Sequence, residues 1–202
     1  MKRILMIIVL ALATVAQAQN RFDFSLVGGV NMGQIDGDNA DRYRHLGFRA
    51  GVGTSYPIGG DADSKWRWVM ELAYTQKGSY IEAYDRKLSA DYIEIPLMIA
   101  YTTHSKVLRV SVGVAPALLV RSEVTDGGAE SVADRDLFKT FDLLPLTVSV
   151  RWLMGTNFGI EGRYQNSMLS VTNETASGTY RLFRDNKGCF HNMLSAGIFL
   201  QF

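Results

Sequence analysis

The chain has 202 residues, with 21 Lys and Arg against 20 Asp and Glu and a single Cys. A net charge of +1 offers no basic surface for nucleic acid and no acidic excess of the kind that keeps chains unfolded. One Cys excludes an internal disulfide framework and a four-cysteine zinc site.

Lys2 and Arg3 precede the mostly apolar run Ile4 to Ala16, and Ala16-Gln17-Ala18 supplies the small residues of a cleavage site. The run is too short to span a bilayer as a helix. The pattern predicts an export signal over 1–18 and one mature domain over 19–202, whose net charge is −1 once Lys2 and Arg3 are removed. No Cys follows the site, so lipoprotein processing is not expected.

After the signal no window keeps a helical period. Period-two alternation recurs instead and predicts strands. Eight segments stand out: Phe22–Gly33, His45–Tyr56, Lys65–Ser79, Asp91–Tyr101, Lys106–Arg121, Phe141–Leu153, Asn157–Ser167 and Phe190–Phe202. In the second, Leu46, Phe48, Val52 and Tyr56 oppose Arg49, Gly51, Gly53 and Ser55. In the fifth, Leu108, Val110, Val112, Val114, Leu118 and Val120 oppose Arg109, Ser111, Gly113, Ala115 and Arg121. In the sixth, Leu144, Leu146, Val148, Val150 and Trp152 oppose Thr147, Ser149 and Arg151.

The polar faces decide the fold. They carry Arg49, Arg67, Glu71, Glu94, Arg109, Arg151, Glu161 and Arg163 between Gly, Ala and Ser, whereas the other faces carry large apolar residues with aromatics near their ends. A soluble sandwich would bury the apolar faces and wet the polar ones. The pattern predicts the reverse: an all-β, eight-stranded antiparallel transmembrane β-barrel, apolar toward lipid and small or polar toward a narrow lumen. A soluble lipocalin-like barrel is the alternative, with Arg49 and Glu161 outward and Phe48 and Leu146 inward.

The links agree with a membrane barrel. Those near 34–44, 80–90, 122–140 and 168–189 are long and polar, while those near 57–64, 102–105 and 154–156 are short. Long outer loops and short periplasmic turns alternate in such barrels, which puts both termini in the periplasm of a Gram-negative cell. Pro96, Pro116 and Pro145 fall inside three consecutive strands and predict a bulge or bend along one wall.

The eight interior charges are the candidate site. They suit either a polar conduit or ligand site, or a paired network that plugs the lumen. A lumen of eight strands, filled by side chains, favours the plug. His45 and His191 fall near the outer rim, with Ser195 four residues after His191, an arrangement that a lipid A-modifying enzyme would need to bring together. His104 reads as a surface residue in a turn. Asp36-Gly-Asp38-Asn-Ala-Asp41 lacks the spacing of a calcium loop, with Ala40 where an oxygen ligand belongs. Gly28-Gly29 and Gly51-Val-Gly53 are packing positions, since no helix follows to make a nucleotide loop. Trp66, Trp68, Tyr56 and Tyr101 suit an interfacial aromatic girdle. Cys189 stands at a loop–strand junction. No catalytic residue, cofactor or metal ligand is assigned.

The terminal stretch Leu194-Ser-Ala-Gly-Ile-Phe-Leu-Gln-Phe202 resembles the signal by which barrel-assembly machinery recognises outer-membrane proteins. Glu71-Leu-Ala-Tyr-Thr-Gln-Lys-Gly78, Asp91-Tyr-Ile-Glu-Ile-Pro-Leu97 and Glu161-Gly-Arg-Tyr164 resemble the PorT-like outer-membrane β-barrel family of Bacteroidetes. The resemblance spans the mature chain and implies a porin-like barrel of the OmpA/OmpX architecture. Its implied surroundings are outer-membrane lipid and lipopolysaccharide, the assembly machinery during insertion, and secretion or envelope proteins as partners. The functions that follow are an interaction or scaffold barrel, a small-solute channel, and the lipid A-modifying enzyme.

Overall fold

The structure is a computed structural model that describes residues 22–36, 43–82, 85–127, 132–133, 138–171 and 189–202. The expected export signal lies outside these residues, as does most of the Asp36–Asp41 loop.

The described residues form one antiparallel sheet. Its strands are β1 (Asp23–Asp36), β2 (His45–Pro57), β3 (Trp66–Ile81), β4 (Arg86–Glu94), β5 (Leu97–Thr102), β6 (Leu108–Asp126), β7 (Val132–Ala133), β8 (Phe141–Leu153), β9 (Phe158–Asn166) and β10 (Phe190–Gln201). Pairing runs β2-β1-β10-β9-β8-β6-β4-β3-β5, with further pairing of β2 to β3 and of β5 to β6. The short β7 pairs with β6. Phe24 and Phe202 exchange backbone hydrogen bonds of 3.1 and 2.8 Å where β1 and β10 start and end.

Alternation sets two faces. Leu46, Val30, Trp68, Val120 and Trp152 are among the large apolar side chains exposed on the outer face, between 55% and 70% of their surface. Arg49, Glu71, Arg151 and Arg163 are buried on the inner face. A contiguous apolar exterior of this extent is a surface for lipid, not for water. On the outer face the Trp66 ring lies tilted 5.0 Å from Tyr101 and Phe22 lies 4.9 Å from Tyr56, all at the end of the sheet that holds Asp23 and Phe202. Aromatic rings with one polar edge favour the depth of lipid headgroups. At the opposite end, Ile35, Tyr92, Phe138, Leu144 and Met193 belong to a buried apolar cluster on the inner face.

The three prolines mark the irregular part of the sheet. The wall strand opposite β3 breaks at Ile95-Pro96 into β4 and β5. The break is stitched, because Glu71 N–H donates to Pro96 O at 3.0 Å and Ile95 N–H to Pro116 O at 2.9 Å. Register shifts occur between Asp91 and Tyr92 and between Gly113 and Ala115. In the second shift Gly113 pairs Thr147 and Ala115 pairs Leu144, so β8 holds one extra residue at Pro145.

Each bulge reverses the side-chain parity beyond it, and two sequence expectations fail there. Leu144, expected on the lipid face, is fully buried on the inner face. Arg121, expected inside, is exposed on the outer wall, next to exposed Val120. The expected link at 80–90 is largely strand: β3 continues to Ile81 and β4 begins at Arg86. β6 likewise runs on to Asp126, inside the expected 122–140 loop.

Candidate functional site

All eight expected interior charges face inward, and ion pairs sort them into three tiers. The middle tier holds Arg49 of β2, Glu71 of β3, Arg151 of β8 and Glu161 and Arg163 of β9. Glu71 accepts from Arg151 Nη2 at 2.7 Å and from Arg163 Nη2 at 2.8 Å, and also pairs with Arg49. Glu161 accepts from Arg151 Nε at 2.5 Å and from Arg163 Nε at 2.9 Å, and lies 3.6 Å from Arg49 Nη1. Arg151 also lies 5.1 Å over the Phe199 ring. β3 does not pair with β9, so the bond from Arg163 to Glu71 crosses the interior.

Desolvated charges survive only when paired and hydrogen-bonded. Planar guanidinium groups that reach two carboxylates at once meet that demand. The middle tier therefore behaves as one body whose members need each other.

The second tier lies nearer the buried apolar cluster. Lys77 Nζ of β3 lies 2.8 Å from Glu94 Oε1 of β4 and 3.2 Å from Asp142 Oδ2 of β8, and all three side chains are fully buried. Gln165 donates to Glu94 at 3.2 Å, and Ser167 donates to Asp142. Glu94 thus belongs to a cluster apart from Glu71 and Glu161. Sequence reasoning missed Lys77 and Asp142 as members of the interior set. Lys77 continues the inward parity of Arg67 and Glu71, a signal present in the sequence; Asp142 carries no such signal, because the Pro145 bulge turns it inward.

The third tier lies at the end that holds the strand termini. Arg67 Nη2 and Arg109 Nη2 stand 3.2 and 3.3 Å from the same Asp23 oxygen. Ser55 Oγ donates to that oxygen at 3.2 Å and receives Arg67 Nε at 3.0 Å. Arg109 Nε donates to Thr102 at 3.2 Å. This tier opens into a cavity of about 640 Å³.

The rim histidines do not assemble a hydrolytic set with Ser195. His191 is buried with its ring 5.6 Å from Tyr92 and 5.9 Å from Phe138. Ser195 lies four residues further along the same strand, about 13 Å away at ~3.3 Å per residue. Among the described residues no group of three or more His, Cys, Asp or Glu is placed to hold a metal ion. Cys189 is a buried thiol.

An apolar exterior around an ion-filled interior is how membrane-spanning β-barrels are built. Residues 16–173 match the family described as the outer membrane protein beta-barrel domain, and the chain belongs to that family. It is an outer-membrane β-barrel protein. Neisserial surface protein A, from Neisseria, is similar over 89% of this chain and 97% of its own, at 18% identity and a TM-score of 0.56. The attachment invasion locus protein Ail of Yersinia pestis is similar over 90% of this chain and 99% of its own, at 13% identity and a TM-score of 0.51. Both likenesses are of fold. No curated protein matches the sequence.

Proposed function

We propose that the chain is a closed eight-stranded transmembrane barrel with a plugged lumen, acting as an interaction or scaffold barrel in the outer membrane. β4 and β5 together make one wall strand. Pairing of β10 with β1 and of β2 with β3 supports closure. In this reading the export signal leaves after Ala18, residues 19–202 form the barrel, both termini face the periplasm, and the long loops face outward. Lipid and lipopolysaccharide contact the apolar exterior, and the terminal stretch Leu194–Phe202 engages the assembly machinery. The stretch Tyr92-Ile-Glu-Ile-Pro96 supports a place among PorT-like barrels of Bacteroidetes, with secretion or envelope proteins as partners.

The observation that carries the plug is the pair of bridges across the lumen, Arg163 to Glu71 and Lys77 to Asp142. A small-solute channel would require both bridges to part, leaving buried charges alone. The rim enzyme would require His191 to leave its aromatic enclosure.

The test is purification of the tagged barrel from its native outer membrane in mild detergent, with mass spectrometry of what travels with it and planar-bilayer recording of the same sample. A stoichiometric envelope protein and no conductance are expected. A barrel recovered alone that conducts ions would overturn the scaffold reading in favour of the channel.

A further inference from the structure

The end of the sheet away from the strand termini is closed by apolar side chains rather than by ion pairs. Ile35, Leu88, Tyr92, Phe138, Val171 and Cys189 are among its buried residues. Polar atoms are buried with them. Neither ring nitrogen of His191 has a hydrogen-bond partner among the described residues, and neither has the Tyr92 hydroxyl or His45 Nδ1. His191 is fully buried, with the Tyr92 ring edge-on at 5.6 Å and the Phe138 ring stacked at 5.9 Å.

Such a slot suits the ring only when it is uncharged. An imidazolium carries two N–H donors and needs an acceptor for each. Burying a cation without them is costly. The neighbours of His191 are otherwise engaged. β2 presents His45, and β3 presents Lys77, itself a cation, 4.6 Å over the Tyr92 ring. Glu94 of β4 and Asp142 of β8 are held by Lys77, and each accepts a further bond from Gln165 or Ser167. β1 sets Ile35 opposite His191, and Asp36 beyond it accepts from Gln34 and Asn192. β6 contributes Ala115 and Ala117. Histidine is also the side chain whose charge ordinarily changes between about pH 5 and pH 8.

We propose that this end is an acid-released cap, latched by uncharged His191 between Tyr92 and Phe138. Protonation expels the ring from its slot, and the apolar cluster parts around it. The closed cap holds His191 without the proton, whereas the open cap lets it titrate as in water. Acid therefore favours the open form, by up to about tenfold for each pH unit below about 6.5, and above that value the cap stays shut. The cap goes beyond the plug, since it opens while the Arg163 to Glu71 bridge stays in place.

Cys189 lies in the same cluster and reports on it. The test is the rate at which dithiodipyridine modifies Cys189 in the detergent-solubilised full barrel, from about pH 7.5 down to about pH 4.5. The urea-unfolded chain at each pH corrects for the reactivity of the thiol itself. Protection at neutral pH is expected, with the corrected rate rising by up to about tenfold per unit below about pH 6.5. His191→Phe should abolish the rise, and so should His191→Gln, whose side chain takes no proton. His45→Gln should keep it. Heat-dependent gel mobility reports whether each variant is folded. A wild-type rate indifferent to pH would overturn the cap, whether or not the variants fold. The same acid rise in a folded His191 variant would overturn it too, moving the effect to the carboxylates of the second tier. A rise lost in folded His45→Gln would take the latch from His191. Planar-bilayer recording of the same sample keeps the two readings apart, since conductance at neutral pH would overturn the plug without touching the cap.

Discussion

The sheet has one even wall and one broken wall. β10, β1 and β2 run side by side without a shift, from Ser25 opposite Gln201 to Asp36 opposite Phe190 and from Asp23 opposite Ser55 to Gly33 opposite His45. Glycine makes that closeness possible. A Cβ on Gly29 would lie 2.4 Å from Ala196 O and 2.6 Å from Gly197 Cα. The other wall, β4 to β8, breaks at Ile95-Pro96 and changes register at Asp91/Tyr92 and Gly113/Ala115. The broken wall nonetheless supplies two of the charges in the second tier, Glu94 and Asp142. Carried without a bulge through Pro145, the alternation that puts Leu146, Val150 and Trp152 outward would put Asp142 in lipid. The bulge is what turns this carboxylate toward Lys77.

Inserting one alanine between Leu143 and Leu144 should therefore break the comparison most severely. The added residue would send Asp142 to the lipid face and strip Lys77 of one partner. Loss of the heat-resistant folded band on a gel is the expected outcome, and a normally folded barrel would refute the role given to the bulge. Glu71→Ala comes next. Glu71 ties Arg151 of the broken wall to Arg163 of β9. Removing one partner from a buried ion set costs about 3–5 kcal/mol, which urea unfolding in lipid vesicles would register as a lowered midpoint with unchanged slope.

Gly29→Ala probes the even wall. Its new methyl meets backbone rather than a movable side chain, and overpacking of this kind costs about 1–3 kcal/mol. The same unfolding assay should place it between wild type and Glu71→Ala. The gentlest comparison replaces Leu143 or Leu144 by Cys in a Cys189→Ser background. A lipid-soluble maleimide should label position 143 and spare 144, since Leu144 is fully buried and Leu143 is not. Equal labelling of the two would contradict the parity reversal.

The legible part of the fold follows the same division. Alternation reads correctly along β1, β2, β9 and β10, where nothing interrupts the count of two. The arginines between glycines on those strands point to a polar interior because no lipid-facing position tolerates them. Leu144 and Arg121 mislead because a bulge adds one residue without leaving a pattern in composition. The prolines predict that a bend exists but not which side of it each residue takes. Lys77 lies near the expected end of its strand, where the expected loop at 80–90 hides how far β3 extends. Grouping into tiers was not legible at all, since it depends on which strands face each other across the interior.

The pairing of β1 with β10 has a consequence in time. Asp23 and Gln201 stand 178 residues apart in sequence yet within hydrogen-bond reach. Closing so long a loop is cheap in free energy, about 0.6 kcal/mol for each doubling of length, but contacts this distant form slowly. A chain delivered N-terminus first presents the edge of β1 long before β10 has arrived. Unpaired edges invite the wrong neighbour, so transit is the hazardous stage in this protein's life. The first strand delivered is among the last to be completed.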